Sequence, residues 1–302
     1  MREFLQVAAA GAMIAMIGAG FARTASAAEN AAPVPPRTYQ VAPNIHVAVL
    51  ENRNSVYLVG DNKVLLTETN FERNAMALKN LIASVTPQPV KLIVNSHWHG
   101  DHMGGNKLFH EAGAVSLAHV NARARMSVTQ VNPVSKAVQL EAQKPEFLPM
   151  MTMDGKMTLH WGSERVDLVH YPTAHTDSDL VLYFRNANVV FLGGMLEYPT
   201  YAGVYSPDGF IDAINAILAE SNVNTKFIPW QGPVVTQAEL REWRDIIAVM
   251  KTRVGALIAQ GKTVDEIVAA KPSAEFDAKW GGGRTPARFA QDMHYVLTNG
   301  TR

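Results

Sequence analysis

Short apolar runs, separated by turn-forming residues, recur along most of the chain. The run 90–94 (VKLIV) is compact and β-branched, which is typical of a buried strand. Similar runs predict further strands at 45–50, 56–59, 64–67, 114–118, 157–161, 165–170, 180–184, 188–192 and 226–229. Apolar residues at helical spacing predict helices at 72–84, 104–113, 208–221, 236–260 and 263–270. Strands interspersed with helices in this way favour a layered α/β domain.

The N-terminal segment departs from this pattern. Residues 4–22 contain no charged side chain, and the small residues Ala-Ser-Ala follow at 25–27. This arrangement predicts a signal peptide at 1–27 and hence a periplasmic or secreted protein, with no stable membrane anchor after cleavage. A retained transmembrane anchor is the alternative, because the uncharged stretch is just long enough to span a bilayer.

The sequence after the predicted cleavage site divides into two parts. Residues 28–40 are rich in Ala and Pro, which predicts a flexible leader. Residues 41–302 carry the strand and helix patterns and are expected to form one domain with a C-terminal helical extension. At the start of the predicted helix 263–270, Thr263 and Glu266 have the spacing of a helix-capping box.

Composition narrows the possible functions. The 302 residues include 27 Lys and Arg against 27 Asp and Glu, so no basic surface is expected for nucleic acid. The chain has no cysteine, which excludes disulfides and thiolate metal ligands. Any metal must therefore be held by His, Asp, Glu or Asn, and the expected partner is a small-molecule substrate. Nothing in the composition indicates an oligomeric state.

Six residues that follow the predicted strand 90–94 concentrate metal-binding groups. The segment 97–102 reads His-Trp-His-Gly-Asp-His, with three imidazoles and one carboxylate. Imidazole suits zinc, and a catalytic zinc takes three protein ligands and leaves one position open to water. A solvated loop that happens to be rich in histidine is the alternative interpretation.

The segment 97–102, followed by Gly-Gly-Asn at 104–106, resembles the signature of the metallo-β-lactamase superfamily. A second similarity lies at 172–180, which reads PTAHTDSDL and precedes a strand. The resemblance covers about residues 40–235 and includes the periplasmic class B β-lactamase-like branch. It implies a four-layer αββα sandwich with the metal at one edge of its two sheets.

The resemblance also implies roles for individual residues. His97, His99 and His175 would bind the first zinc ion, and Asp101 and His102 would contribute to a second metal position. In the family a zinc-bound hydroxide is the nucleophile, and Asp101 is placed to orient it or to accept its proton. A zinc-bound water has a pKa near 7, so hydroxide is available at neutral pH.

Two positions depart from the family pattern. Gly194 stands where the family usually has a metal-bridging Asp, and Gln231 stands where it usually has a histidine of the second site. Asp101 and His102 alone offer fewer ligands than a catalytic zinc needs, and a neutral amide oxygen is a weak zinc donor. Glu197 is a possible substitute ligand. We therefore expect one bound Zn²⁺ and a weak or empty second position.

Two tryptophans adjoin these positions. Trp98 lies between two predicted ligands, and Trp230 precedes the altered position 231. Each could form a wall of the substrate pocket or pack in the core.

The predicted function is an exported zinc-dependent hydrolase that acts on an ester, lactone, thioester or cyclic amide. A single zinc offers less charge to an amide leaving group, which favours alkoxide or thiolate leaving groups. A β-lactamase-type antibiotic hydrolase is one alternative. A non-catalytic, metal-binding descendant of the fold is the other.

Overall fold

The computed structural model describes residues 35–301. Its strands are Arg37–Ala42 (β1), Ile45–Leu50 (β2), Arg53–Val59 (β3), Val64–Thr67 (β4), Val90–Val94 (β5), Val115–His119 (β6), Gln130–Val131 (β7), Val138–Leu140 (β8), Met151–Met153 (β9), Lys156–Trp161 (β10), Glu164–Tyr171 (β11), Asp179–Phe184 (β12), Val189–Phe191 (β13) and Lys226–Ile228 (β14). Its helices are Ala75–Ala83 (α1), Gly100–Met103 (α2), Asn106–Glu111 (α3), Val120–Met126 (α4), Pro207–Ala219 (α5), Gln237–Ala259 (α6), Val264–Ala269 (α7), Asp277–Trp280 (α8) and Pro286–Asn299 (α9). Short 3₁₀ turns lie at Glu72–Asn74, Pro145–Phe147 and Gly193–Met195.

The larger sheet has seven strands in the order β1-β2-β3-β4-β5-β6-β9. Strands β1 to β4 pair antiparallel, and β4, β5, β6 and β9 pair parallel. Parallel neighbours need a crossover connection, and α1 supplies it between β4 and β5. Because β4 and β5 run the same way, the segments that follow them meet at one edge of the sheet.

The smaller sheet has five strands in the order β10-β11-β12-β13-β14. Its first four strands pair antiparallel, and β13 pairs parallel with β14 through the crossover helix α5. The seven-residue connection 172–178 between β11 and β12 carries His175.

The two sheets face each other across a buried apolar core. Val47 and Leu65 of the larger sheet lie in one cluster with Leu168 and Leu182 of the smaller sheet, all fully buried. On the outer face of the larger sheet, α1 packs through its own apolar side chains. Helices α5, α6 and α9 cover the outer face of the smaller sheet. The order helix, sheet, sheet, helix confirms the predicted αββα sandwich.

The C-terminal helices are integrated into this architecture. The predicted capping box is present at the start of α7, where Thr263 N donates to Glu266 Oε2 at 2.8 Å and Glu266 N donates to Thr263 Oγ1 at 3.3 Å. In α9, Phe289 and Met293 are fully buried in the cluster under the smaller sheet. The helical extension therefore completes the outer layer.

The structure corrects the boundary of the predicted leader. Residues 37–40 form most of β1, whose Thr38 and Tyr39 pair with Ala48 and Val47 of β2. Backbone pairing of this kind orders a segment whose side chains carry only a weak apolar pattern. The predicted signal peptide at 1–27 lies outside the described residues. Within residues 35–301, no helix has the length and apolar character needed to cross a bilayer.

Candidate metal centre

His97 and His99 lie in the connection between β5 and α2. Residue 95 anchors this connection, because the Asn95 and Asn106 side-chain amides donate to each other's oxygen at 3.2 and 2.9 Å. Gly105 permits the close approach of α3, since a Cβ there would lie 2.5 Å from the Thr69 carbonyl oxygen. The Gly-Gly-Asn element at 104–106 is therefore a packing requirement that fixes the histidine loop.

His175 is held by the connection between β11 and β12. The Asp179 carboxylate accepts hydrogen bonds from His175 N at 2.7 Å, Thr176 N at 2.9 Å and Thr176 Oγ1 at 2.6 Å. Burial raises the pKa of Asp179 to about 7, although these hydrogen bonds act in the opposite direction. One side chain at the start of β12 thus closes the turn that presents His175.

The structure brings the three predicted first-site histidines together. His97 Nε2 lies 2.9 Å from His99 Nδ1, and His175 Nε2 lies 3.2 Å from the same atom. One nitrogen from each ring falls within a 4.8 Å cluster. His97 and His175 are buried, and His99 is half-buried. Three imidazole nitrogens thus converge on one point at the edge of the sandwich.

The tautomers suit a cation at this point. The Nδ1–H of His175 donates to the Gly203 carbonyl oxygen at 2.8 Å, so its Nε2 directs a lone pair into the cluster. His97 Nδ1 lies 2.9 Å from Ser96 Oγ, which leaves Nε2 as the inward atom. Burial and the neighbouring histidines lower the pKa of His97 well below its ordinary value, which keeps this ring neutral. Neutral imidazoles oriented by outer hydrogen bonds are the usual zinc ligands, so the residues fit a metal ion.

Asp101 and His102 adjoin this cluster. Asp101 Oδ1 lies 3.9 Å from His102 Nε2, and the His102 ring stacks on Trp230 with centroids 3.8 Å apart. His102 Nδ1 lies 3.4 Å from Glu68 Oε1, a fully buried carboxylate. Burial lowers the pKa of His102, but Glu68 and Asp101 outweigh it and raise the pKa above its ordinary value. Its carboxylate neighbours therefore favour a protonated His102 in the metal-free protein.

The Asp101 carboxylate also contacts a cation that the sequence pattern did not identify. Asp101 Oδ2 lies 3.6 Å from Nε of Arg53, the first residue of β3. Burial raises the pKa of Asp101, but His102, His99 and Arg53 outweigh it, and the pKa is lowered overall. Asp101 is therefore ionised at neutral pH.

The positions of the expected second site lie around Asp101 and His102. A Cβ at Gly194 would fall 2.5 Å from His97 Cε1 and 2.7 Å from His175 Cδ2, so this position faces the cluster but carries no ligand. The backbone of Gln231 pairs with Arg53 on one side and with Glu197 on the other. Burial raises the pKa of Glu197, although Arg284 opposes this effect.

A cleft opens beside the histidines and encloses about 550 Å³, its open mouth included. His99, His175 and Trp98 line its inner end, and Val131 and Tyr205 line its apolar wall. Trp98 also packs in a small apolar cluster behind the cleft. It therefore serves both of its predicted roles, whereas Trp230 is buried and packs on His102.

Two arginines, Arg125 and Arg284, also line the cleft. Arg125 Nη2 lies 2.8 Å from Asp177 Oδ2, and Arg284 Nη1 lies 2.5 Å from Asp292 Oδ2. The Asp292 carboxylate is shared with Arg288, whose Nε is 3.1 Å away. Both arginines that line the cleft are therefore paired with a carboxylate.

A second histidine cluster lies apart from this centre. His119, Asp154 and His170 place one ligand atom each within 4.8 Å. However, His119 Nδ1 accepts the Asn121 backbone N–H at 3.2 Å, so its Nε2 carries the proton that Asp154 accepts at 3.2 Å. The two rings stack 3.5 Å apart with an 18° interplanar angle, so no ion could lie in both ring planes. This geometry suits hydrogen bonding rather than metal binding.

The fold and the histidine cluster together define an αββα protein with a candidate metal site. The model of the metallo-β-lactamase superfamily matches residues 49–223, and the chain belongs to this superfamily. It therefore carries a family fold in which the cluster at His97, His99 and His175 is a candidate metal site.

Comparison with solved structures gives the same fold. A double mutant of the sec-alkyl sulfatase Pisa1 is 17% identical, with a TM-score of 0.67, and the match covers 88% of this chain and 50% of that chain. The stereoselective inverting sec-alkylsulfatase Pisa1 from Pseudomonas sp. is 18% identical, with a TM-score of 0.66 over 86% of this chain and 50% of that chain. A metallo-β-lactamase from Pontibacter korlensis is 16% identical, with a TM-score of 0.59 over 70% of this chain and 99% of that chain. The chain thus spans half the length of the sulfatases that it resembles.

Proposed function

We propose that this protein is a metal-dependent hydrolase with one zinc ion held by His97, His99 and His175. The observation that carries the proposal is the convergence of three imidazole nitrogens within 4.8 Å beside an open cleft. Export to the periplasm or beyond is part of the proposal and rests on the sequence of residues 1–27.

Zinc is the metal that this ligand set favours, because three neutral imidazoles are a common protein environment of catalytic zinc. Zinc bound here supplies a Lewis acid and lowers the pKa of water toward 7. The half-buried His99 and the cleft leave one side of the cluster accessible to solvent and substrate.

Asp101 is the residue we assign to proton transfer. Its side chain is about a quarter exposed, ionised and adjacent to the histidine cluster, so it can accept a proton from a water molecule there. The adjacent His102 and Arg53 hold the carboxylate from two sides, which restricts its orientation.

The cleft suggests the class of substrate. Its apolar wall suits an acyl or alkyl group, and its two arginines suit an anionic or strongly polarised group. A lone zinc favours a good leaving group, which points to an ester, lactone, thioester or cyclic amide. A secondary alkyl sulfate is a further candidate, since the cleft offers arginines and two of the similar structures are sec-alkyl sulfatases.

Two other functions are distinguished by experiment. An antibiotic β-lactamase is the first alternative, because of the superfamily and the similarity to the Pontibacter korlensis structure. The glycine at 194 and the glutamine at 231 favour a lone metal, and they are equally compatible with a metal-binding protein that no longer catalyses a reaction.

The test combines metal analysis with a substrate panel. We expect about one zinc per chain in purified protein and chelator-sensitive turnover of at least one member of a panel of esters, lactones, thioesters, a cephalosporin and a secondary alkyl sulfate. The His175→Ala variant should lose both the bound zinc and the turnover. His160→Ala, at an exposed position of β10, is the matched control. A protein that binds zinc but turns over no member is a binding protein, and a protein that binds no metal refutes the proposal.

A further inference from the structure

We propose that Arg53 keeps the metal centre mononuclear, because its guanidinium occupies the place of a second metal ion beside Asp101. This inference rests on the proposed function, in which the three histidines bind one metal ion.

The first argument is the location of Arg53. It opens β3, and its backbone pairs with Gln231, the position at which a histidine of the second site is expected. The next residue fixes this pairing, because Asn54 N donates to the Trp230 carbonyl oxygen at 2.7 Å and Asn54 Nδ2 donates to that of Gly232 at 2.8 Å. The start of β3 is thus attached to the segment from which a second-site ligand would come.

The second argument is the orientation of the guanidinium. Arg53 Nε is buried, makes no hydrogen bond within residues 35–301 and lies 3.6 Å from Asp101 Oδ2. The rest of the group is fixed from outside, because Nη1 donates to the Glu51 carbonyl oxygen at 3.1 Å and the guanidinium carbon lies 4.8 Å from the Phe71 ring centroid. These contacts direct the Nε edge toward the Asp101 carboxylate.

The third argument is the balance of charge. Asp101, Glu197 and Glu68 are the carboxylates near the second position, and Arg53 and Arg284 act on the first two of them. The Arg53 guanidinium also lies 3.7 Å from Glu51 Oε2, on the side away from this position. A guanidinium cannot lose its proton at any ordinary pH. A second divalent cation at Asp101 would lie close to this fixed positive charge, and the repulsion is not screened as it would be in bulk water. The residues at 194 and 231 supply no anionic ligand to offset it.

The experiment measures metal stoichiometry against free zinc by native mass spectrometry. Arg53→Met removes the charge and retains most of the apolar side chain. Arg53→Gln is the second variant, so that a folding defect in one of them does not decide the result. We expect both variants to bind a second zinc ion about tenfold more tightly than the wild type, or tighter still. Arg53→Lys should resemble the wild type, because it keeps the charge.

Arg73→Met is the matched control. Arg73 packs on the same Phe71 ring at 4.0 Å and donates to Glu51, but within residues 35–301 its ion pair is with Glu51 and not with Asp101. Its loss should leave the second binding constant unchanged. Unchanged second-zinc affinity in Arg53→Met and Arg53→Gln would overturn the proposal, as would tight binding of two zinc ions by the wild type. Absence of the first zinc would instead refute the proposed function, so the two failures are distinguishable.

Discussion

At position 194, the lack of a side chain allows the rings of His97 and His175 to lie directly against the backbone. The backbone leaves β13 and turns at Gly193–Met195 directly against the rings of His97 and His175. A Cβ at Gly194 would meet both rings at less than 2.8 Å, a separation that real Cβ atoms do not reach. An aspartate therefore cannot be restored at this position unless the histidines move.

We predict that Gly194→Ala weakens binding of the first metal ion by about 10- to 100-fold. Losses of this size are typical of substitutions at residues that orient metal ligands without binding the ion themselves. Zinc affinity measured by competition with a chromophoric chelator tests this. Gly255→Ala is the control, because a Cβ there meets nothing within 4 Å, and alanine within α6 should stabilise the helix by about 0.5–1 kcal/mol. Wild-type zinc affinity in Gly194→Ala would show that the rings can shift without cost.

Local spacing explains which residues could be identified from the sequence. The cluster of His97, His99 and Asp101 is visible because its members are near neighbours in the chain. Arg53, at the start of β3, and Glu68, directly after β4, contact the candidate metal centre from distant parts of the chain. Arg53 is 48 positions from its partner Asp101. Glu68 offered one signal, since an acidic residue directly after a fully buried strand is unusual and indicates a specific partner.

At the scale of secondary-structure elements, sequence patterns located the core strands and the helices α1, α3, α5, α6 and α7, whereas α9 was expected only as part of a C-terminal helical extension. Short elements were missed: β1, α2, α4, β7, β8, β9 and α8. Strands β7 and β8 have two and three residues, and their side chains are mostly exposed. Such elements are ordered by backbone pairing with neighbours, which leaves no periodic pattern in the sequence.

The connection between β11 and β12 is held on its outer side by the second histidine cluster. His170 Nε2–H donates to the Asp177 carbonyl oxygen at 3.1 Å, and Asn121 Nδ2 donates to the same oxygen at 2.9 Å. Burial, and then the stacked His119, lower the pKa of His170. The folded protein therefore disfavours a proton on His170 that the unfolded chain accepts.

This difference predicts a pH dependence of stability. The contribution of His170 is fully present above its unfolded pKa of about 6.5 and is lost as the pH falls through the lower folded pKa. We expect His170→Gln, which can still donate to Asp177, to reduce the loss of unfolding free energy between about pH 7 and pH 5. Chemical unfolding of metal-free protein at each pH measures the effect, with His160→Gln at an exposed β10 position as control. If the unfolding free energies of His170→Gln and His160→Gln depended equally on pH, this prediction would be contradicted.

At the scale of the whole molecule, the candidate metal centre joins the two sheets. His97 and His99 follow β5 of the larger sheet, and His175 precedes β12 of the smaller one. A backbone hydrogen bond already connects these edges, because Leu180 N donates to the Ser96 carbonyl oxygen at 2.8 Å. A metal ion bound by all three histidines would therefore crosslink the halves of the sandwich.

We predict that zinc raises the thermal unfolding temperature by about 5–10 °C. Free zinc at about 100 times its dissociation constant adds about 2.7 kcal/mol to stability, and each kcal/mol corresponds to about 2–4 °C in a domain of this size. Differential scanning calorimetry with zinc and with a chelator measures the shift. In His175→Ala the shift should be much smaller, because the remaining ligands all belong to the larger sheet. If that variant kept the full zinc-dependent shift, the ion would have to bind within one sheet, and the crosslink between the sheets would not exist.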